Sequence, residues 1–163
     1  MIADKLDCCF ERGRNRFRYR VGALIVEDGC VLLITSDGCD YYYSVGGGVH
    51  IGETSEQAVL REVKEETGVD YEVDRLVFVH ENFFKGEFSI EGMICHEVCL
   101  YYLLKPRGSR DIDCKSVSPD GKERAEWVPL EKLKDLKVYP REIFTERLCD
   151  LPKYPEHVIT LVK

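Results

Sequence analysis

Between Gly46 and Val69 the chain reads GGGVHIGETSEQAVLREVKEETGV, and both ends of a helix are written into that stretch. Thr54 and Gln57 form a T-x-x-Q capping box, in which the threonine oxygen takes the amide of the third helical residue and the glutamine reaches back. Gly68 is a natural stop, because glycine enters the left-handed conformation that ends helices without a Cβ clash. The spacing therefore predicts a helix from near Thr54 to Thr67. In front of it, DGCDYYYSVGGGV predicts a short strand at Tyr41 to Tyr43 running into a glycine turn.

Placed on that helix at ~100° per residue with Glu62 at zero, Glu66 falls at ~40° and Glu65 at ~−60°. Three carboxylates thus share one arc. Val59, Leu60 and Val63 fall on a separate arc and are expected to face the core, while Ala58, small and among the glutamates, leaves the acidic face open. The pairs Glu62–Glu65 and Glu62–Glu66 each cost about 0.2–0.5 kcal/mol as like charges. Arg61, four residues before Glu65, relieves part of this. A hard divalent cation between the carboxylates relieves the rest, and magnesium suits such oxygen donors together with phosphate oxygens and water. For three glutamates alone, a solvated acidic helix face is the plain alternative.

The rest of the chain supplies strands. RFRYRVGALIVEDGCVLLITS reads as a β-hairpin turning at EDG. VDYEVDRLVFVHENFF alternates as a strand, MICHEVCLYYLLK is apolar enough to be a central one, and HVITLVK predicts a last one. EWVPLEKL reads as a strand end entering a short helix, and YPREIFTERLCD as a second true helix with Pro140 in its first turn. Residues 105–123 are polar, with Pro, Gly and Ser, and form either a lid or a mobile excursion. Strands with two helices and no repeat or linker give one α/β domain over residues 1–163, with a mixed sheet.

At 163 residues and a net charge of −7, the chain lacks the basic surplus that duplex nucleic acid requires. No apolar run reaches membrane length, and MIADKLDCCFERGRNRFRYR has no signal-peptide core, so a cytoplasmic protein is expected. The eight cysteines include no C-x-x-C pair and are expected to be reduced, with Cys95 and Cys99 packing as small hydrophobes.

The acidic helix belongs to a larger pattern. Gly47, five residues, Glu53, seven residues and then REVKEETGV match the Nudix box at every fixed position: Gly47, Glu53, Arg61, Glu62, Glu65, Glu66 and Gly68, with Val63 and Val69 in the apolar slots. The chain therefore resembles the Nudix (MutT-like) hydrolase superfamily. It departs in one place: many members carry a proline before the glycines, where this chain has Val45, and a looser turn is expected there.

The resemblance implies an α/β/α sandwich with a mixed β-sheet between helices, and Mg2+-dependent hydrolysis, with Mn2+ able to substitute. Water would attack phosphorus in a nucleoside diphosphate linked to another group: ADP-ribose-like, a sugar nucleotide or a nucleoside triphosphate. Glu62, Glu65, Glu66 and the carbonyl of Gly47 or a neighbour would hold metal, Glu53 would pair with Arg61 and orient the site, and a homodimer is a further possibility. For the general base the first choice is Glu65, with Glu97, Glu123, His80 and Glu81 in reserve. His80 and His96 read equally as surface or core-edge histidines.

Among substrate contacts, Arg12, Arg14, Arg16, Arg18 and Arg20 recur at every second residue, which puts them on one face of an extended strand. They form either a charged edge that discourages strand pairing or, at Arg18 and Arg20, a grip on phosphates. Tyr43 and Phe83 are candidates to stack on a nucleobase, against ordinary packing. The competing functions are a non-catalytic nucleotide-sensing Nudix-fold domain and a Nudix-fold isomerase of allylic diphosphates.

Overall fold

The alternating stretch that follows the helix is one long strand, β6 (Val73–Lys85), paired antiparallel with β7 (Ile94–Leu104). In the computed structural model, which describes residues 5–115, 117–118 and 121–161, these two strands lie at the heart of a mixed sheet. The other strands are β1 (Cys9–Arg12), β2 (Asn15–Leu24), β3 (Val26–Glu27), β4 (Cys30–Ser36), β5 (Tyr42–Gly48), β8 (Val117–Ser118), β9 (Gly121–Pro129), β10 (Val138–Tyr139) and β11 (Glu156–Thr160). The sheet runs β11-β6-β7-β2-β5-β4-β9-β8, with β1 beside β2, β10 beside β5 and β3 beside β4. The pairs β11/β6, β2/β7 and β10/β5 are parallel.

Each face of the sheet has its own core. Val21, Ala23, Leu32, Ile34 and Val45 point to helix α1 (Ser55–Thr67) and bury its Ala58, Val59 and Val63. Leu24, Val31, Leu33, Phe78 and Tyr101 point the other way, onto Leu133 of the 3-10 turn Leu130–Asp135 and onto Ile143 and Phe144 of α2 (Arg141–Phe144). Alternate residues of β2 and β4 thus feed opposite layers, and the expected α/β/α sandwich with a mixed sheet is what forms.

Several expectations are corrected. The hairpin expected at EDG forms between β3 and β4, but the main part of the first run, β2, finds its partners elsewhere. β2 runs parallel to β7 over ten residue pairs and antiparallel to β5. Only its tip turns back, through β3 and β4 across Asp28 (φ 46°) and Gly29 (φ 73°), a turn with both central residues left-handed. The arginines of β2 therefore sit inside the sheet and not along an edge. The second helix is four residues long: after it the amide of Leu148 bonds to the carbonyl of Ile143, five residues back, and Leu148 is buried with Phe144.

The glycine turn is also not a turn. Gly46, Gly47 and Gly48 are strand residues of β5, opposite Gly22, Val21 and Arg20. A Cβ on Gly46 would lie 2.2 Å from the Val21 carbonyl oxygen, and one on Gly47 2.5 Å from the Glu62 carboxyl group. The glycines serve close approach, not reversal. Val45 pairs with Ala23 and is fully buried, so it loosens nothing. Ala58 is buried too, packed in the core layer with Val21, Val45 and Val59, while Glu65 stays exposed.

Residues 105–115 form no regular element, yet they are tied down. The buried Glu27 carboxylate accepts the amides of Arg107 (2.5 Å) and Gly108 (3.0 Å). Trp127 Nε1 donates to the Arg110 carbonyl at 2.9 Å, and the Asp113 amide to that of Thr67 at 2.8 Å. Residues 116, 119 and 120 of the expected lid lie outside the described residues.

Candidate active site

Helix α1 begins and ends as its sequence dictates. Thr54 Oγ1 takes the Gln57 amide at 3.2 Å, Gln57 Oε1 takes the Thr54 amide at 2.9 Å, and Gly68 closes the helix at φ 72°. Those caps fix which residues face the glycine strand.

Arg61 is the hub. Its Nε and Nη2 grip the two carboxylate oxygens of Glu53 at 2.7 and 2.9 Å, and Nη2 also donates to the Gly48 carbonyl at 2.9 Å. Nη1 reaches Glu62 at 2.7 Å and Glu65 at 3.3 Å. Glu53 in turn accepts the His50 amide at 3.0 Å. One guanidinium thus joins helix, glycine strand and the loop between them, and its hydrogen bonds hold Glu53 below the usual carboxylate range.

Glu66 turns to the other side. Its Oε2 accepts the Gly46 amide at 3.0 Å, and the residue is buried. Burial pushes its carboxyl well above the ordinary range; the Gly46 amide opposes this, and the charges of Glu123 and Glu62 add to it. Glu62 is also raised, by burial first, against the pull of Arg61. Glu65 is about half exposed. Among the described residues no three carboxylate, histidine or cysteine side chains close on one point as a ready cage.

The donors nevertheless fit a hard divalent cation. Glu62 and Glu66 present carboxylate oxygens raised first by burial, with the Glu65 charge adding to Glu62 and those of Glu123 and Glu62 adding to Glu66, and a cation would oppose both shifts. Gly47 has no side chain to occupy the space beside the Glu62 carboxyl. A cation here would have room for phosphate oxygens among its ligands.

The reserve residues part company. Glu123 is buried on β9, accepts the Tyr43 hydroxyl at 2.8 Å, and lies close enough to Glu66 to repel it. Glu97 is 2.7 Å from Arg18 and 3.7 Å from Arg20. Burial opposes its charge, but the two arginines outweigh this and keep it below the usual range. It is an anchor for them, not a poised base. Arg18 is lowered to about 10, chiefly by the neighbouring Arg20 charge and by burial, and stays charged at neutral pH. Both arginines line a cavity of about 90 Å³ with Gly47, Gly48 and Asp7.

His80 is buried against Thr160 Oγ1 at 2.9 Å, and Glu81 lies 3.0 Å from exposed His157. Phe83 stacks on His96 with centroids 4.2 Å apart, which engages one face of its ring. Asp7 escaped the reading of the sequence: it reaches the Gly48 position through a bridge to His50, a long-range pairing that no local pattern announces.

Residues 16–148 match the NUDIX domain family. The chain belongs to the Nudix family. A MutT Nudix hydrolase of Burkholderia pseudomallei is 30% identical, with 80% of this chain and 97% of that one covered and a TM-score of 0.60. A MutT protein of Bacillus halodurans shares the fold at a TM-score of 0.67 and 20% identity, over 88% and 90% of the two chains. A MutT-like protein of Streptomyces ambofaciens is 40% identical over 65 residues, which are 40% of this chain and 42% of that protein. Within this Nudix domain, Arg61 joins Glu53, Glu62 and Glu65, Gly47 lies against Glu62, and Glu66 takes the Gly46 amide.

Proposed function

We propose that this chain is a pyrophosphohydrolase that cleaves a nucleoside diphosphate linked to another group, with Mg2+, or Mn2+ in its place, at Glu62, Glu66 and Glu65 and a carbonyl of the Gly46–Gly48 strand. The observation that carries the reading is the pair of carboxylates on the glycine strand, Glu62 against Gly47 and the buried Glu66 on the Gly46 amide, both raised by burial. A bound cation would supply charge neutralisation for the phosphates and a more acidic water.

The chain's own residues do the positioning. Arg61 and Glu53 hold the helix to the loop. Arg18 and Arg20, fixed by Glu97, face a cavity beside Gly47 and Gly48 and are placed to bind phosphate oxygens. Glu65, exposed at the rim, is the first choice to take the proton of the attacking water. Glu123 is the second, favoured by its place beside Glu66 and the Tyr43 hydroxyl. Both agree with general-base chemistry by a carboxylate.

The test is a panel of ADP-ribose, sugar nucleotides and nucleoside triphosphates with magnesium, read as phosphate release before and after a phosphatase. Cleavage by the wild type and none by Glu66→Gln supports the reading. Magnesium binding with no cleavage of any member would return the sensing domain to first place. Glu65→Gln and Glu123→Gln then separate the two bases: the variant that loses the acidic limb of the kcat profile has lost the base.

A further inference from the structure

Beyond the acidic cluster, three aromatic rings from three separate segments meet. Tyr41, just before β5, has its ring centroid 5.3 Å from that of Tyr139 on β10, edge to face, and 6.3 Å from that of Phe88 in the 3-10 turn Phe88–Ile90. Tyr139 is 45% exposed and Phe88 46%. Single exposed rings are ordinary, but here two half-exposed rings gather around a third from separate segments into one patch.

Two further features set this cluster apart. Phe88 holds φ at 53°, in the left-handed region that a bulky residue rarely enters. Strain of this kind collects where a side chain must be aimed. The cluster is also wired to the acidic site. Tyr41 lies 6.0 Å from Tyr43 between centroids, Tyr139 is the strand partner of Tyr43, and the Tyr43 hydroxyl donates to Glu123 beside Glu66. The Lys137 ammonium sits 5.8 Å over the Tyr41 ring, held by Asp40 at 2.8 Å. Tyr41 is therefore backing, and Tyr139 and Phe88 offer the surface.

We propose that Tyr139 and Phe88, backed by Tyr41, form the stacking platform for the nucleobase of the substrate whose diphosphate lies at Glu62 and Glu66, an inference that rests on the hydrolase reading of that site. The phosphates run toward Arg18 and Arg20 and the base lies on the opposite side of the acidic cluster. Every base has a π-face, so the platform selects for a planar ring and not for one base.

The test uses Tyr139→Ala, Tyr139→Trp and Phe88→Gly in the full chain. Phe88→Gly removes the ring and also the backbone strain, so its melting temperature is expected to equal or exceed that of the wild type. Each ring removal should raise KM for a cleaved nucleotide substrate at least about fivefold. It should leave turnover of a base-free sugar pyrophosphate, phosphoribosyl pyrophosphate, unchanged. Tyr139→Trp should keep or improve the nucleotide KM. Equal losses on both substrates, or no change on either, would overturn the platform. So would a variant that turns a dimeric wild type into a monomer with its nucleotide KM unchanged, since the rings would then cover a second copy. If no substrate is cleaved by the wild type, the hydrolase reading fails by itself. Calorimetric binding of ADP, weakened in Tyr139→Ala and Phe88→Gly or not, then decides the platform separately.

Discussion

At the scale of single residues, the site depends on atoms that are absent. Gly47 lets the Glu62 carboxyl lie where a Cβ would be, and the neighbour in conflict is the far end of a side chain. Gly47→Ala is therefore expected to fold, to displace Glu62 by about 1 Å, and to lose activity on the order of 100-fold. A circular dichroism melt beside kcat/KM checks both halves. His80 gives a pH prediction. Burial lowers its pKa in the folded state below the unfolded value, so the fold keeps the ring neutral while the unfolded chain takes up a proton first. Its contribution to stability is full above the unfolded pKa of about 6.5 and is lost as pH falls through that value toward the folded pKa. Denaturant unfolding at pH 7.5 and 5.5 should show a smaller difference for His80→Gln than for the wild type.

At the scale of elements, Thr54→Ala removes half of the capping box and is expected to cost ~1 kcal/mol, or about 2–4 °C in melting temperature. Because that cap also starts the helix that carries the carboxylates, magnesium affinity should fall with it. Glu27→Ala leaves the amides of Arg107 and Gly108 without their acceptor and should cost about 1–3 kcal/mol. Limited trypsin digestion should then cut at Arg107 or Arg110 first. What the sequence made legible follows the reach of its signals. The caps at Thr54, Gln57 and Gly68 and the alternation in β6 are local, and they read correctly. Helical geometry likewise turns the spacing of Glu62, Glu65 and Glu66 into neighbouring positions on α1. The partner of β2, the strand character of Gly46 to Gly48 and the burial of Ala58 depend on β7, Val21 and β5, brought in from elsewhere in the chain. No periodicity within those stretches encodes that. YPREIFTERLCD has a helical pattern, but its α-helix ends at Phe144 and the Leu148 amide bonds five residues back to Ile143.

At the scale of the whole molecule, a net charge of −7 and the raised carboxyls of Glu62 and Glu66 should make the folded state itself responsive to cations. Magnesium at about 100 times its Kd should add ~2.7 kcal/mol to stability. Removing it with a chelator should lower the melting temperature of the wild type and leave a Glu62→Gln, Glu66→Gln double variant unmoved. Without metal, that variant should melt above the wild type, since neutral amides relieve the repulsion that the carboxylates keep. A metal-dependent melt in the variant equal to that of the wild type would place the ion elsewhere. The glycine strand has a consequence for how such a chain diversifies. At Gly46 a Cβ would strike the Val21 backbone, and at Gly47 and Gly48 it would displace the Glu62 and Asp7 carboxyls, so a mutational library will find the first position closed and the other two open only at the expense of the site. The rings at Tyr139 and Phe88 lie outside that constraint, on segments that can vary without moving the acids. New preferences in a lineage of such proteins would then accumulate at the rim, while its centre stays the same from one descendant to the next.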